Sequence, residues 1–228
     1  MQKVRPIRAI TFDCYGTLID WEAGLWSAAQ RPLKKVGLNV TRARFYEAWE
    51  PIQFAMIQGP YKRYRKVLTD SFRAAVEALG GKPVSLEDAA AFAGSMADWE
   101  PFPDVVPALA KLSALYVLAP ISNTDDDFLA ASARRMGNPF HHLFTAQQAK
   151  AYKPSTKPFQ LALKKLGCDP AEVLHVAFGY RYDLGPARES GMRTAWLNRS
   201  SESLPAGFEA DFQLDAMSGL VSIATRVC

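Results

Sequence analysis

The sequence is poor in the features that mark secreted, zinc-binding and membrane proteins. Its 228 residues include only three cysteines, Cys14, Cys168 and Cys228, whose spacing fits neither a disulfide framework nor a zinc motif. There is no internal repeat, no apolar run long enough to span a bilayer and no apolar N-terminal segment of the signal-peptide kind. These absences predict a cytoplasmic protein with free thiols and no membrane partner.

A large excess of charge of one sign is also lacking. The 27 basic and 23 acidic residues leave a formal net charge of +4. Lysine and arginine gather in two stretches, 31–44 and 61–66. We interpret these stretches as solvated helix faces. The alternative is that their positive charge attracts small anions toward a cleft. Because no continuous basic stripe or nucleic-acid motif is present, nucleic-acid binding is not expected.

The chain does have the pattern of an α/β protein. A short strand is predicted at Arg8–Asp13, followed by helical periodicity from about Glu22 to Asp98, with an interruption near Pro51. After that stretch, buried strands alternate with capped helices, which predicts a parallel sheet with right-handed crossovers. We therefore expect an α/β core formed by residues 1–20 and 99–228, with residues 21–98 as a helical insert after the first strand.

Polar side chains follow four of the predicted strands or precede the helices beyond them. Asp13 ends the first strand, Ser122 ends the second, Lys153 precedes a later helix and Asp183 opens another. In open α/β sheets, ligands bind beyond the carboxyl ends of the strands, so these four residues are expected to meet at one edge. Each alone fits a helix cap or a surface residue, but their joint order indicates a catalytic site.

That order resembles the haloacid dehalogenase superfamily. The segments FDCYGTLIDWE, PFPDVVPALAKL, ISNTDDD, TAQQAKAYKP and GMRTAWLNR resemble its type II branch, the L-2-haloacid dehalogenases. The resemblance implies a Rossmann-like core with a helical cap that closes the site, an Asp13 nucleophile, and supporting roles for Ser122, Lys153 and Asp183. It also implies a homodimer.

The residue two positions after the nucleophile distinguishes between reactions. Most relatives are phosphatases with an aspartate there, whereas this chain has Tyr15, a weaker acid near neutral pH. A halide leaves without a proton, so we predict displacement at carbon of a small 2-substituted carboxylate, without metal or cofactor. Thr17 is a further candidate catalytic residue that fixes a carboxylate oxygen. The candidate substrate-binding residues are Tyr15, Asn123, Cys14 and Tyr180.

Several departures from the type II pattern leave the substrate open. Trp49 is followed by Glu50 where relatives carry a halide-binding arginine, for which Arg63 or Arg65 is the candidate replacement. Phe178 and Gly179 stand where small polar residues are usual, and Phe159 replaces a tyrosine. The alternatives are a ring-opening C–N hydrolase, a small-molecule phosphatase, and a catalytically silent binding protein. His175, within a predicted strand, is interpreted as a satisfied core histidine.

Overall fold

The structure is a computed structural model that describes residues 5–199 and 203–224. It separates into two compact units, Met1–Asp20 with Pro101–Cys228, and Trp21–Glu100. Cys14 and Cys168 are free thiols, whereas Cys228 lies outside the described residues. Within the two described ranges, no helix combines the length and the apolar character needed to cross a membrane.

Residues 21–100 form a unit of helices and loops without a strand. Its helices are α1 (Trp21–Lys35), α2 (Arg42–Gln58), α3 (Tyr64–Ala78) and α4 (Leu86–Gly94), followed by a 3-10 turn at Ser95–Asp98. Thr41 and Ser85 cap α2 and α4 by accepting hydrogen bonds from backbone amides. The core of this unit is aromatic: Phe72 and Phe92 stack at 4.0 Å between ring centroids.

The predicted interruption near Pro51 is wrong, because α2 continues from Arg42 to Gln58 with Pro51 inside it. A proline removes one amide donor from a helix and leaves a carbonyl without its partner. Pro51 is exposed, so water can satisfy that carbonyl. The apolar face of α2, which includes Phe45 and Trp49, is buried on the other side and holds the helix together.

The described part of the other unit is built on a six-stranded sheet with the order β3-β2-β1-β4-β5-β6. The strands are β1 (Ala9–Phe12), β2 (Val117–Ser122), β3 (Phe144–Thr145), β4 (Val173–Ala177), β5 (Arg193–Leu197) and β6 (Phe212–Leu214). All pairings are parallel, which confirms the predicted α/β, Rossmann-like sheet. Its helices are α5 (Val105–Ser113), α6 (Asp126–Arg135), α7 (Ala146–Ala149), α8 (Lys157–Leu166), α9 (Gly185–Glu189) and α10 (Met217–Ala224).

The central strand β1 sets the position of the site. All four of its residues are buried, as expected for a central strand of a parallel sheet. Phe12, its last residue, is in register with Pro120 of β2 and Val176 of β4. The chain builds outward from β1 through β2 and β3, then returns to β4 on the opposite side, so the strand order reverses beside β1. Asp13 therefore lies at the topological switch point, where open sheets bind ligands.

The sequence predicted that Asp183 opens an ordinary helix, but the structure shows a different local conformation. Asp183 lies in a single π-helical turn, Tyr180–Leu184, that precedes α9. The amide of Leu184 donates to the carbonyl of Gly179 at 3.2 Å, a bond that spans five residues instead of four. This wider turn accommodates one more residue between β4 and α9, and such turns are frequent at functional sites.

Candidate active site

Asp13 follows β1 directly and is held by a tight turn. The backbone amides of Leu18 and Ile19 both donate to the carbonyl of Cys14, at 2.8 and 2.9 Å. This folds the chain back so that Thr17 Oγ1 donates to Asp13 Oδ2 at 2.8 Å. The side chain of Asp13 is only 8% exposed, so its carboxylate depends on protein partners for much of its solvation.

Lys153 supplies the positive charge beside Asp13, although 140 residues separate them. Its side chain is 1% exposed, and Nζ donates to Asp13 Oδ1 at 2.9 Å, to Asp183 Oδ1 at 2.5 Å and to the carbonyl of Ile121 at 2.9 Å. These three acceptors use all three ammonium protons. A single buried ammonium therefore joins two carboxylates from different strand ends.

Asn123 fixes the backbone of Lys153. Its amide group donates to the carbonyl of Lys153 at 3.0 Å and accepts from the amide of Lys153 at 2.6 Å. This pair of bonds ties the loop before α8 to the end of β2. The sequence predicted Asn123 as a substrate-binding residue, whereas the geometry gives its side chain a positioning role for the lysine.

The two carboxylates differ in acidity because their surroundings differ. Burial raises the pKa of Asp13, and the charge of Asp183 adds to that effect, while Lys153 and Thr17 oppose it without cancelling it. Burial also acts to raise the pKa of Asp183, but the charge of Lys153 and the hydrogen bond from His175 outweigh it, so the pKa of Asp183 is lowered. For Lys153, burial acts to lower the pKa, but the charges of both aspartates outweigh it and raise the pKa, so the amine stays protonated.

The comparison with known proteins agrees with this arrangement. The family described as haloacid dehalogenase-like hydrolase matches residues 7–191 of the chain. The chain belongs to the haloacid dehalogenase-like hydrolases. The matched range includes Asp13, Ser122, Lys153 and Asp183.

Three known proteins are similar to all or part of this chain. The (S)-2-haloacid dehalogenase 4A of Burkholderia cepacia is 29% identical over 203 residues, which cover 86% of this chain and 85% of that enzyme. A solved L-2-haloacid dehalogenase superposes with a TM-score of 0.83 at 25% identity, covering 96% of this chain and 99% of its own. The pyrophosphatase PpaX of Bacillus velezensis is 36% identical, but over only 87 residues, 37% of this chain and 39% of its own length.

Ser122 is a buried candidate in this hydrolase site whose hydroxyl is open to a ligand. It is 2% exposed, and among the described residues its Oγ has no hydrogen-bond partner. A buried hydroxyl without a partner is costly, which favours a polar group bound beside it. The amide of Asp126, at the start of α6, donates instead to the side chain of Gln147 at 3.0 Å, so that amide is already occupied.

Tyr15 and Cys14 have other roles than acid and nucleophile in this hydrolase. The hydroxyl of Tyr15 forms a hydrogen bond with Ser132 Oγ at 3.0 Å, which fixes the ring against α6. Burial raises the pKa of the Cys14 thiol well above its ordinary value, so the thiol stays protonated. Cys14 therefore contributes its backbone and its small volume.

Tyr180 and Phe178 shape the edge of the site after β4. The exposed ring of Tyr180 packs edge-on against Phe208, with 4.8 Å between ring centroids. The half-buried ring of Phe178 covers Gly16, where an added Cβ would lie 2.4 Å from the ring. Gly16 has φ +103°, so both its backbone and the ring above it require glycine. Phe178 thus places an apolar wall on the turn that follows the nucleophile.

The sequence interpretation of His175 was incomplete. The ring is satisfied, as expected, but one of its partners is Asp183, at 3.2 Å from Nε2 to Oδ1. The signal available in the sequence was a histidine within an otherwise apolar strand, eight residues before a candidate site aspartate. For Arg63 and Arg65, which lie just before and within the first turn of α3, the expected halide-binding role stays a prediction.

Proposed function

We propose that this protein hydrolyses the carbon–halogen bond of a short 2-haloalkanoate, in particular an (S)-2-haloacid, through an ester of Asp13. The observation that carries the proposal is the buried contact between Asp13 Oδ1 and Lys153 Nζ at 2.9 Å. It holds the carboxylate beside a permanent positive charge at the ligand-binding edge of the sheet. Relatives that match this chain over most of its length are named (S)-2-haloacid dehalogenases, which supports the same substrate class.

In the first step the ionised carboxylate of Asp13 attacks the substrate carbon that bears the halogen. A C–O bond forms as the C–X bond breaks, and the halide leaves with the bonding electrons, with inversion at carbon. No proton has to be delivered, which agrees with the absence of a second acid at Tyr15. Lys153 and Thr17 hold the carboxylate in one orientation for the attack.

In the second step water attacks Cγ of Asp13, and the bond between Cγ and the ester oxygen breaks. That oxygen, which came from the Asp13 carboxylate, leaves as the hydroxyl of the product, and the oxygen of water takes its place in Asp13. The products are a 2-hydroxy acid, the free carboxylate and one proton. Asp183 remains ionised at this stage, because its pKa is lowered by Lys153 and His175. It is the carboxylate that keeps Lys153 in place once Asp13 has lost its charge. Ser122 Oγ is the proposed donor to the substrate carboxylate.

A phosphatase is the second candidate, favoured by the partial match to the pyrophosphatase. Magnesium-dependent phosphatases of this superfamily use the second aspartate both as acid and as part of the cofactor site. Here that position is Tyr15, and among residues 5–199 and 203–224 no three histidine, cysteine or acidic side chains are grouped to hold a metal ion. The donor set therefore does not fit magnesium, and dehalogenation is the better proposal.

The two candidates, and a silent binding protein, are separated by product analysis. Purified protein is incubated with chloro-, bromo- and fluoroacetate and with both 2-chloropropionate enantiomers, and halide release is measured. We expect release from the (S)-enantiomer and incorporation of ¹⁸O from labelled water into Asp13 during a single turnover. Asp13→Asn serves as the inactive control. Phosphate release from a small phosphoester, in the absence of any halide release, would instead establish the phosphatase.

Three further properties remain proposals: a cytoplasmic location, a homodimer, and closure of the site by the helical cap. The dimer follows only from the resemblance to related enzymes. Size-exclusion chromatography with light scattering measures the mass directly against 25.2 kDa per chain. A monomer at micromolar concentration would contradict the dimer.

A further inference from the structure

A buried histidine connects the two strands that carry the aspartates. His175 lies in β4 with no exposed surface, in register with Thr11 of β1. Its Nδ1 is 2.9 Å from Thr11 Oγ1, and its Nε2 is 3.2 Å from Asp183 Oδ1. The ring of Phe159 packs edge-to-face against it, at 5.2 Å between centroids. Both ring nitrogens are thus engaged inside the core.

The partners of His175 decide which nitrogen carries the proton. An ionised carboxylate only accepts hydrogen bonds, so Nε2 must donate to Asp183. A neutral ring then presents a bare Nδ1, which accepts the hydroxyl proton of Thr11. Asp183 therefore selects the tautomer, and the hydroxyl of Thr11, which can donate or accept, satisfies the nitrogen that remains. This is a directional arrangement, and apolar packing alone would not require it.

One oxygen of Asp183 receives two donors. Lys153 Nζ and His175 Nε2 both donate to Oδ1, at 2.5 and 3.2 Å. The lysine holds that oxygen from one side and the imidazole holds it from another. Without the imidazole, the orientation of the carboxylate would depend much more on the same lysine that it is needed to position.

We propose that His175 is a positioning residue that holds Asp183 against Lys153, and that it acts mainly on hydrolysis of the Asp13 ester. This inference rests on the proposed dehalogenase function. In the free enzyme Lys153 is held by Asp13, Asp183 and the carbonyl of Ile121. Once Asp13 is esterified it carries no charge, so Asp183 becomes the only anion among these three acceptors.

The kinetic consequence distinguishes this role from a purely structural one. Loss of the imidazole should leave attack by Asp13 nearly unchanged and slow the reaction of water with the ester. When the second step limits turnover, kcat and KM fall together and kcat/KM is preserved. A hydrogen bond to a charged group is worth about tenfold to a hundredfold in rate. A merely unfolded fraction of the enzyme would lower kcat without lowering KM.

The test compares His175→Leu, His175→Gln and wild type with (S)-2-chloropropionate. His175→Leu removes the donor, and we expect a burst of one halide per site, a kcat about tenfold to a hundredfold lower, and kcat/KM within about threefold of wild type. His175→Gln retains an N–H donor and should recover most of kcat. The exposed His142→Gln is the matched control and should behave as wild type. An unchanged kcat in His175→Leu, or a fall in kcat without a burst, overturns the proposal.

A second measurement does not depend on turnover or on a folded His175 variant. The ¹⁵N shifts of the His175 ring in the wild-type protein report which nitrogen is protonated. We expect the proton on Nε2 and a shift of its resonance in Asp183→Asn. A proton on Nδ1 overturns the positioning contact. A wild-type protein that releases no halide from any 2-haloacid overturns the ester step together with the proposed function, while the ring shifts still decide whether His175 holds Asp183.

Discussion

Replacing Lys153 with methionine tests the central charge of the site. The substitution keeps most of the side-chain volume and removes the ammonium group that Asp13 and Asp183 share. The two contacts, at 2.9 and 2.5 Å, each represent about 6 kcal/mol of gross attraction at an effective dielectric constant of about 20. Desolvation of the three charges offsets part of this, and removal of one partner from a buried pair usually destabilises a protein by about 3–5 kcal/mol.

The free energy of unfolding of Lys153→Met should therefore fall, but by less at low pH. Without the ammonium the pKa of Asp13 rises further, because burial and the charge of Asp183 already raise it and nothing of comparable strength opposes them. A carboxyl with a raised pKa in the folded state favours folding when protonated. Acidification should consequently restore part of the stability of the variant, the reverse of its effect on an ordinary salt-bridged aspartate.

The activity of Lys153→Met should also fall, but it should depend on pH in the opposite sense to the stability. Attack requires the ionised form of Asp13, so halide release at pH 7 should fall by about a thousandfold, the rate equivalent of about 4 kcal/mol. The residual activity should rise toward alkaline pH. In the plot of rate against pH, the acid limb, where activity is lost as Asp13 becomes protonated, should lie at higher pH than in the wild type. Initial rates of halide release between pH 5 and pH 10, together with urea unfolding at both ends of that range, measure both effects.

The exposed Lys157→Met, four residues away at the start of α8, is the matched control and should keep both activity and stability. If Lys153→Met retains activity within tenfold of wild type, the lysine does not keep Asp13 ionised. If its acid limb coincides with that of wild type, the electrostatic argument is wrong even when the rate is low.

Three other substitutions test the surroundings of the nucleophile. Ser122→Ala should raise KM about tenfold for 2-haloacids and change the free energy of urea unfolding by less than about 0.5 kcal/mol, because Oγ has no hydrogen-bond partner to lose in the described part of the chain. An unchanged KM would remove Ser122 from the substrate site. Thr17→Val removes two hydrogen bonds, the one that Thr17 donates to Asp13 Oδ2 and the one that it accepts from the amide of Phe178. We expect kcat for halide release to fall at least about tenfold. A wild-type kcat would show that Thr17 does not orient the nucleophile. Gly16→Ala should lower the free energy of unfolding by at least about 2 kcal/mol, since φ is +103° and the ring lies 2.4 Å from the added Cβ, and additional Phe178→Ala should recover part of the loss.

The sequence predicted the sheet and the strand-end residues because both depend on local pattern. A buried run followed by Asp13, or by Ser122 and Asn123, carries a clear signal for the carboxyl end of a parallel strand. The hydrogen-bond partners of these strand-end side chains could not be predicted in the same way. Nothing in the chain indicates that Asn123 binds the backbone of Lys153, because that contact joins loops 30 residues apart.

The π-helical turn was missed for a related reason. Periodicity separates helix from strand, but it does not detect one extra residue within a turn of five. That residue determines how the chain leaves β4 and therefore where Asp183 lies relative to His175. The interruption predicted at Pro51 was wrong for the opposite reason, because there the local sequence did carry a signal. A proline within a helix predicts a break, but burial of the apolar face of α2 keeps the helix continuous.

The balance of charge in the buried cluster gives a physical reason for its reactivity. Asp13 and Asp183 bring two negative charges to one ammonium, so the free enzyme holds an excess negative charge at a site with little access to water. Esterification of Asp13 removes that excess and leaves a matched pair, Lys153 with Asp183. The repulsion between the carboxylates, which contributes to the raised pKa of Asp13, therefore favours attack on carbon as it favours protonation. Asp183→Asn should remove this repulsion. The pKa of Asp13 should then fall, and the acid limb of the pH–rate profile should move to lower pH. Halide release should nevertheless slow, even though Asp13 is more fully ionised. A variant with a lower limb and a faster burst would show that the second carboxylate restrains the nucleophile instead of activating it.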